Sequence, residues 1–190
     1  MKQRIISPIK LQLLMLLSVL LLSGSANGQF EESKSGTELV SNYFLDSPDS
    51  TKYAVILVGP TIGEVNQTQF RQWSFSLHDI LSRDYGYSSD TITLLYDKGA
   101  PALPGGDRVD GACDLEGIEN GLAAKVKTGD QITLYLIGHG SGAEEEAKFN
   151  IVGPDITGAV FSDLLDQFNE QDIAIINTTS ASYGFSTSLS

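Results

Sequence analysis

The chain has 190 residues, enough for one domain, and carries 12 basic against 24 acidic side chains, a net charge of −12. Such a balance repels phosphate backbones, so nucleic acid is excluded as a partner. A lone cysteine, Cys113, cannot close an internal disulfide, and with only two histidines a zinc site is not expected.

Residues 1–28 read as a secretory signal peptide. Lys2, Arg4 and Lys10 give a basic start, "LQLLMLLSVLLLS" (11–23) is an apolar core short for a bilayer crossing, and "GSANG" supplies small residues for cleavage after Ala26 or Gly28. An uncleaved signal anchor is the alternative. No cysteine follows the apolar core, which disfavours a lipoprotein anchor. Removing the leader takes three positive charges and no negative one, leaving −15. No later segment is apolar enough to cross a membrane. The processed chain is therefore expected to be secreted or periplasmic, without stable membrane insertion.

Residues 29–51, which include "QFEESKSGTELVSNYFLDSPDS", are polar without clear periodicity and read as a flexible arm. "KYAVILV" (52–58) is a continuous apolar, β-branched run ahead of Gly-Pro, the signature of a strand buried on both faces. Over 68–85 the spacing of Phe70, Trp73, Leu77, Ile80 and Leu81 predicts a helix that stops at Gly86, with His78 a structural or partly exposed member. "DTITLLYD" (90–97) is the second strand, followed by a Gly- and Pro-rich loop. Asp114 is placed to cap a helix over 114–126. "DQITLYLIG" (130–138) is the third strand, 155–170 the third helix and "DIAIIN" (172–177) the fourth strand.

Apolar strands alternating with helices predict an α/β domain over 52–190. It should be a three-layer αβα arrangement with a mostly parallel sheet of four strands. The sequence ends thirteen residues after the fourth strand. The expectation is a shortened form of the fold, or an edge at 172–177 covered by the arm or another chain, an edge-strand dimer being one form of this.

Sites in such sheets lie beyond the carboxyl ends of the strands. His139 stands there between Gly138 and Gly140, and the fourth strand ends in "NTTSASYGF" (177–185). Adjacent strands lie about 5 Å apart, so side chains just past the two tips can touch. The glycines would let a peptide backbone approach the imidazole, and the Gly140 N–H could face a developing oxyanion.

"KYAVILVGP", "LLYD", "GDQITLYLIGHGSG" and "DIAIINTTSASYGF", in that order, resemble the caspase–legumain superfamily of cysteine peptidases, nearest to the legumain branch and bacterial caspase-like domains. The resemblance covers residues 52–190. It implies a strand order 2-1-3-4, a catalytic histidine at His139 and an oxyanion-hole glycine at Gly140. The family's nucleophilic cysteine falls on Ala181, which carries no nucleophile. The resemblance thus implies a peptidase fold that has lost its chemistry and acts by binding a peptide or protein segment. The alternative is an active peptidase pairing His139 with Ser180, Ser182 or Cys113. A serine hydroxyl needs a well-oriented base to react, whereas Cys113 precedes a helix start that can lower a thiol pKa. The bland reading of the serines and threonines is that they satisfy backbone groups in a tight loop.

Competing motifs fare worse. With Ser141 at its centre, "GHGSG" has His139 where the hydrolase elbow needs glycine. "GPTIGEVNQT" lacks the spacing and lysine of a nucleotide loop, and no cofactor motif is found. Glu144–Glu146 read as a solvated loop able to attract a basic partner. Asn66 and Asn177 occupy N-x-T sequons, and only Asn66 is placed for glycosylation.

Overall fold

A computed structural model describes residues 50–99, 105–123 and 127–189. The leader and all but the last two residues of the arm lie outside these. The described residues include seven strands: β1 Lys52–Val58, β2 Ile92–Tyr96, β3 Gln131–Ile137, β4 Gly140–Ser141, β5 Lys148–Phe149, β6 Ile156–Thr157 and β7 Asp172–Asn177. Its α-helices are α1 Glu64–Asp84, α2 Leu115–Ala123, α3 Gly158–Leu165 and α4 Ser182–Thr187.

Four strands form a parallel sheet in the order β2-β1-β3-β7. With β7 as its fourth strand, this is the order expected from the sequence. The strands are apolar on both faces because both are covered. Val55, Leu57, Ile132, Leu134, Leu136 and Ile175 pack with residues of α2, α3 and α4 in one cluster. Ala54, Ile56, Val58, Leu94, Tyr96 and Ile137 pack under α1 in the other. The protein is an α/β domain with helices on both faces of its sheet. Among the described residues, β7 pairs only with β3.

The helices differ from expectation in extent and face. α1 begins four residues earlier, and it buries Phe70, Ser74 and Leu81. Trp73 is 52% and Ile80 38% exposed, so these two do not belong to the buried stripe. A serine can lie at the centre of that stripe because its hydroxyl donates to the Phe70 carbonyl one turn back, at 2.7 Å. Asp114 caps α2 as expected, its carboxylate accepting from the Gly117 N–H at 2.7 Å. Residues 124–126 of that expected helix lie outside the described residues. α3 is shorter than expected, since 156–157 are a strand and Thr157 caps the helix instead. Between β3 and α3 the chain folds into a small antiparallel sheet, β4-β5-β6, where no strand was expected and whose last strand takes residues expected to be helical. No helix among the described residues is long and apolar enough to cross a membrane.

Candidate functional site

Parallel pairing brings the carboxyl ends of β3 and β7 side by side, Leu136 in register with Asn177. Beyond Ile137 the chain turns through Gly138, whose φ of +150° and close approach to Gly59 both call for glycine. His139 follows, exposed, and β4 starts at Gly140.

Gly140 abuts the loop after β7. A Cβ built on it would lie 2.7 Å from the Ala181 Cβ, 2.8 Å from the Ala181 nitrogen and 2.8 Å from Thr179 Oγ1. The Ser180 hydroxyl donates to the Gly140 carbonyl at 3.1 Å. His139–Gly140 and Ala181 are 42 positions apart in sequence and come together here.

The imidazole of His139 leans toward α1. Its Nε2 lies 3.0 Å from Asn66 Nδ2, and its ring meets Phe70 edge-on at 5.3 Å between centroids. The Asn66 amide nitrogen also donates to the Ile62 carbonyl at 2.9 Å, which identifies that atom as nitrogen. Nε2 therefore accepts, and neutral His139 carries its proton on Nδ1. Asn150 braces the turn, its N–H donating to the His139 carbonyl at 3.1 Å and its Oδ1 accepting from the Ser141 hydroxyl at 3.0 Å. Ser141 is thus a structural partner of the turn.

Two polar groups under this site have no hydrogen-bond partner. Thr179 Oγ1 and Asn177 Nδ2 belong to residues only 3% exposed. The other loop hydroxyls are engaged: Thr178 donates to the Leu136 carbonyl at 2.8 Å, and Ser180 to Gly140 as above. Ser182 opens α4 with its N–H on the Thr179 carbonyl.

Cys113 is not brought to His139. It is fully buried in the cluster under α2, α3 and α4, while His139 packs on Phe70 on the α1 side of the sheet. Burial raises its thiol far above the ordinary 9.0, and the nearby Asp114 and Asp97 carboxylates add to this. The helix start that follows does not activate it, because the buried thiolate would be unsolvated. His78 lies along α1, 3.7 Å from its neighbour Asp79, remote from the strand tips.

Asn66, Asn150 and Thr179 escaped the sequence reading. Asn66 was marked only by its N-x-T sequon, a glycosylation signal, and Asn150 and Thr179 carry no local pattern. Asn66 lay outside the expected helix, and Thr179 looked like ordinary loop filler. No family model matches the chain, and no curated protein matches it.

Proposed function

We propose that this is an exported protein of caspase–legumain type that has kept the peptide-approach side of a peptidase site and lost its nucleophile. It acts by holding a peptide or protein segment across the tips of β3 and β7. The observation that carries the reading is the contact of Gly140 with Ala181, 2.7 Å from a built Cβ to the alanine methyl. The position the resemblance assigns to a reactive cysteine lies against the His-Gly element and holds only that methyl. Hydrolysis of a peptide needs a nucleophile activated by a base. The Ser180 hydroxyl is spent on the Gly140 carbonyl, and the Thr179 hydroxyl is buried against Gly140 with no base beside it.

The test is hydrolysis of a mixed peptide library by the native chain, Ala181→Cys and Ala181→Cys/His139→Ala. The native chain is expected to be silent, the cysteine variant to turn over, and the double variant to fall silent again. Native turnover that vanishes in His139→Ala would replace this reading with the active one, in which Ser180 or Ser182 is the next residue to substitute. Silence from all three would remove the resemblance as a guide to the site.

A further inference from the structure

The face of the sheet under α1 is covered unevenly. α1 packs over β1 and β2. On one flank of the helix Phe75 meets Tyr96 of β2, with ring centroids 6.0 Å apart, and Asp79 holds Arg108 at 2.9 Å. The opposite flank looks toward β3 and β7. It is marked by Asn66, whose amide meets His139 just past the tip of β3, and at helical spacing from Asn66 it carries Trp73, Leu77 and Ile80. Trp73 is 52% and Ile80 38% exposed.

The sheet beside that flank is apolar as well. Side chains alternate along a strand. Ile137 packs under α1 and Ile175 on the other face, so Tyr135 of β3 and Ala174 and Ile176 of β7 lie on the α1 side. Tyr135 and Ile176 are register partners, and both are part-buried. Ile176 joins neither core cluster, and α2, α3 and α4 pack on the far face. Trp73 and Ile80 thus wall an apolar shelf whose floor is Tyr135 and Ile176. Contiguous apolar surface left to water marks a place of contact.

The chain itself brings a cover to this place. It enters β1 at the foot of β3: the Thr51 N–H donates to Asp130 Oδ1 at 2.8 Å, and the Thr51 carbonyl accepts from the Gln131 N–H at 2.9 Å. Shortly before that point, outside the described residues, stand Leu39, Val40, Tyr43, Phe44 and Leu45, five of the six large apolar side chains of residues 29–49. Ile176 is four residues along β7 from Asp172, the register partner of Gln131, so it lies roughly 13 Å up and 5 Å across from the foot of β3. The stretch from Leu45 to Thr51 spans up to about 20 Å when extended.

We infer that residues 39–45 fold back on their own domain and cover the shelf formed by Trp73, Ile80, Tyr135 and Ile176. A tethered segment meets the shelf at an effective concentration on the order of millimolar. A second copy is opposed by the net charge of −12 that each chain carries. The inference is independent of the peptide-binding reading, because the shelf lies on the face of the sheet and not across the strand tips.

Trp73 is the only tryptophan of the chain, so its fluorescence senses the wall of the shelf alone. Acrylamide quenching is measured on the full chain, expressed with its own leader, and on Leu39→Ser/Val40→Ser/Tyr43→Ser/Phe44→Ser, with circular dichroism showing both folded. The variant is expected to be quenched about twofold more readily, as befits an indole that has lost its apolar cover, and the difference should hold at every protein concentration. Chymotrypsin probes the other partner. Cutting at residues 43–45 is expected to be slow in the native chain and about tenfold faster in Ile80→Asp, since cleavage follows the population of the open form. Equal quenching of the native chain and the arm variant would overturn the inference. Protection of Trp73 that disappears on dilution would make a second copy the occupant and overturn it too. The same holds for cutting at 43–45 that Ile80→Asp leaves unchanged.

Discussion

Gly140 shows how closely the two halves of the site are fitted. Any side chain there meets Ala181 and Thr179 at 2.7 to 2.8 Å, inside ordinary contact distance. Gly140→Ala is therefore expected to destabilise the protein by about 1–3 kcal/mol, the usual range for an overpacked position, read from urea midpoints. Cys113 makes the opposite kind of statement, a reactive atom withdrawn from chemistry. In the native protein it should resist iodoacetamide and become fully labelled in denaturant. Its pKa is raised in the folded state, so the stability linked to it is complete below the ordinary thiol value of 9.0 and is lost as pH rises above it. A denaturation series from pH 8 to 10.5 should show that loss, and Cys113→Ala should flatten it. At this scale the sequence was legible where a residue is marked by its own neighbours, as His139 is by two glycines. It was not legible where a residue is chosen by something distant. Asn66 matters because Ile62 and His139 both meet its amide, and no pattern around residue 66 announces that.

Strands and helices were legible to different degrees for a physical reason. β1 and β7 occupy the residues expected of them, 52–58 and 172–177, because a strand covered on both faces must be apolar throughout. α1 covers one face only, so its pattern is diluted. Trp73 and Ile80 looked like core and are exposed, whereas Ser74 looked polar and is buried. The two-residue strands β4, β5 and β6 are too short to carry any periodicity of their own. α4 depends on packing to an extent its length would not suggest. A six-residue helix is not stable alone. It is held by Phe185, fully buried against Phe161 with ring centroids 5.6 Å apart. Phe185→Ala should cost about 3–5 kcal/mol and loosen the Ala181 loop, which amide hydrogen exchange across 178–187 would register as lost protection. Gly184→Ala tests the same docking from the other side, since its methyl would drive the helix off the Glu144 carbonyl. Its exchange pattern should resemble that of the phenylalanine variant.

For the molecule as a whole, the acidic excess and the parallel sheet work in different directions. Net charge keeps copies apart in solution, whereas the side of β7 that no described strand pairs offers backbone groups to another strand. Sedimentation at rising salt weighs the two: association that grows as charge is screened, and that Ile176→Lys, at a part-buried position, abolishes in a chain still folded by circular dichroism, would identify β7 as the contact. The sheet order also has a consequence in time. β1 is the first of the described strands to leave the ribosome, yet it lies inside the sheet, and its pairing with β3 reaches from Lys52 to Gln131. Ala54 to Val58 are all buried once folded. Until the chain has grown past residue 137 those five residues lack the β3 side of the sheet and have only β2, α1 and α2 to shelter them. On the proposal that the chain is exported, the delay that contact order imposes on folding is also the interval in which it would cross a membrane unfolded.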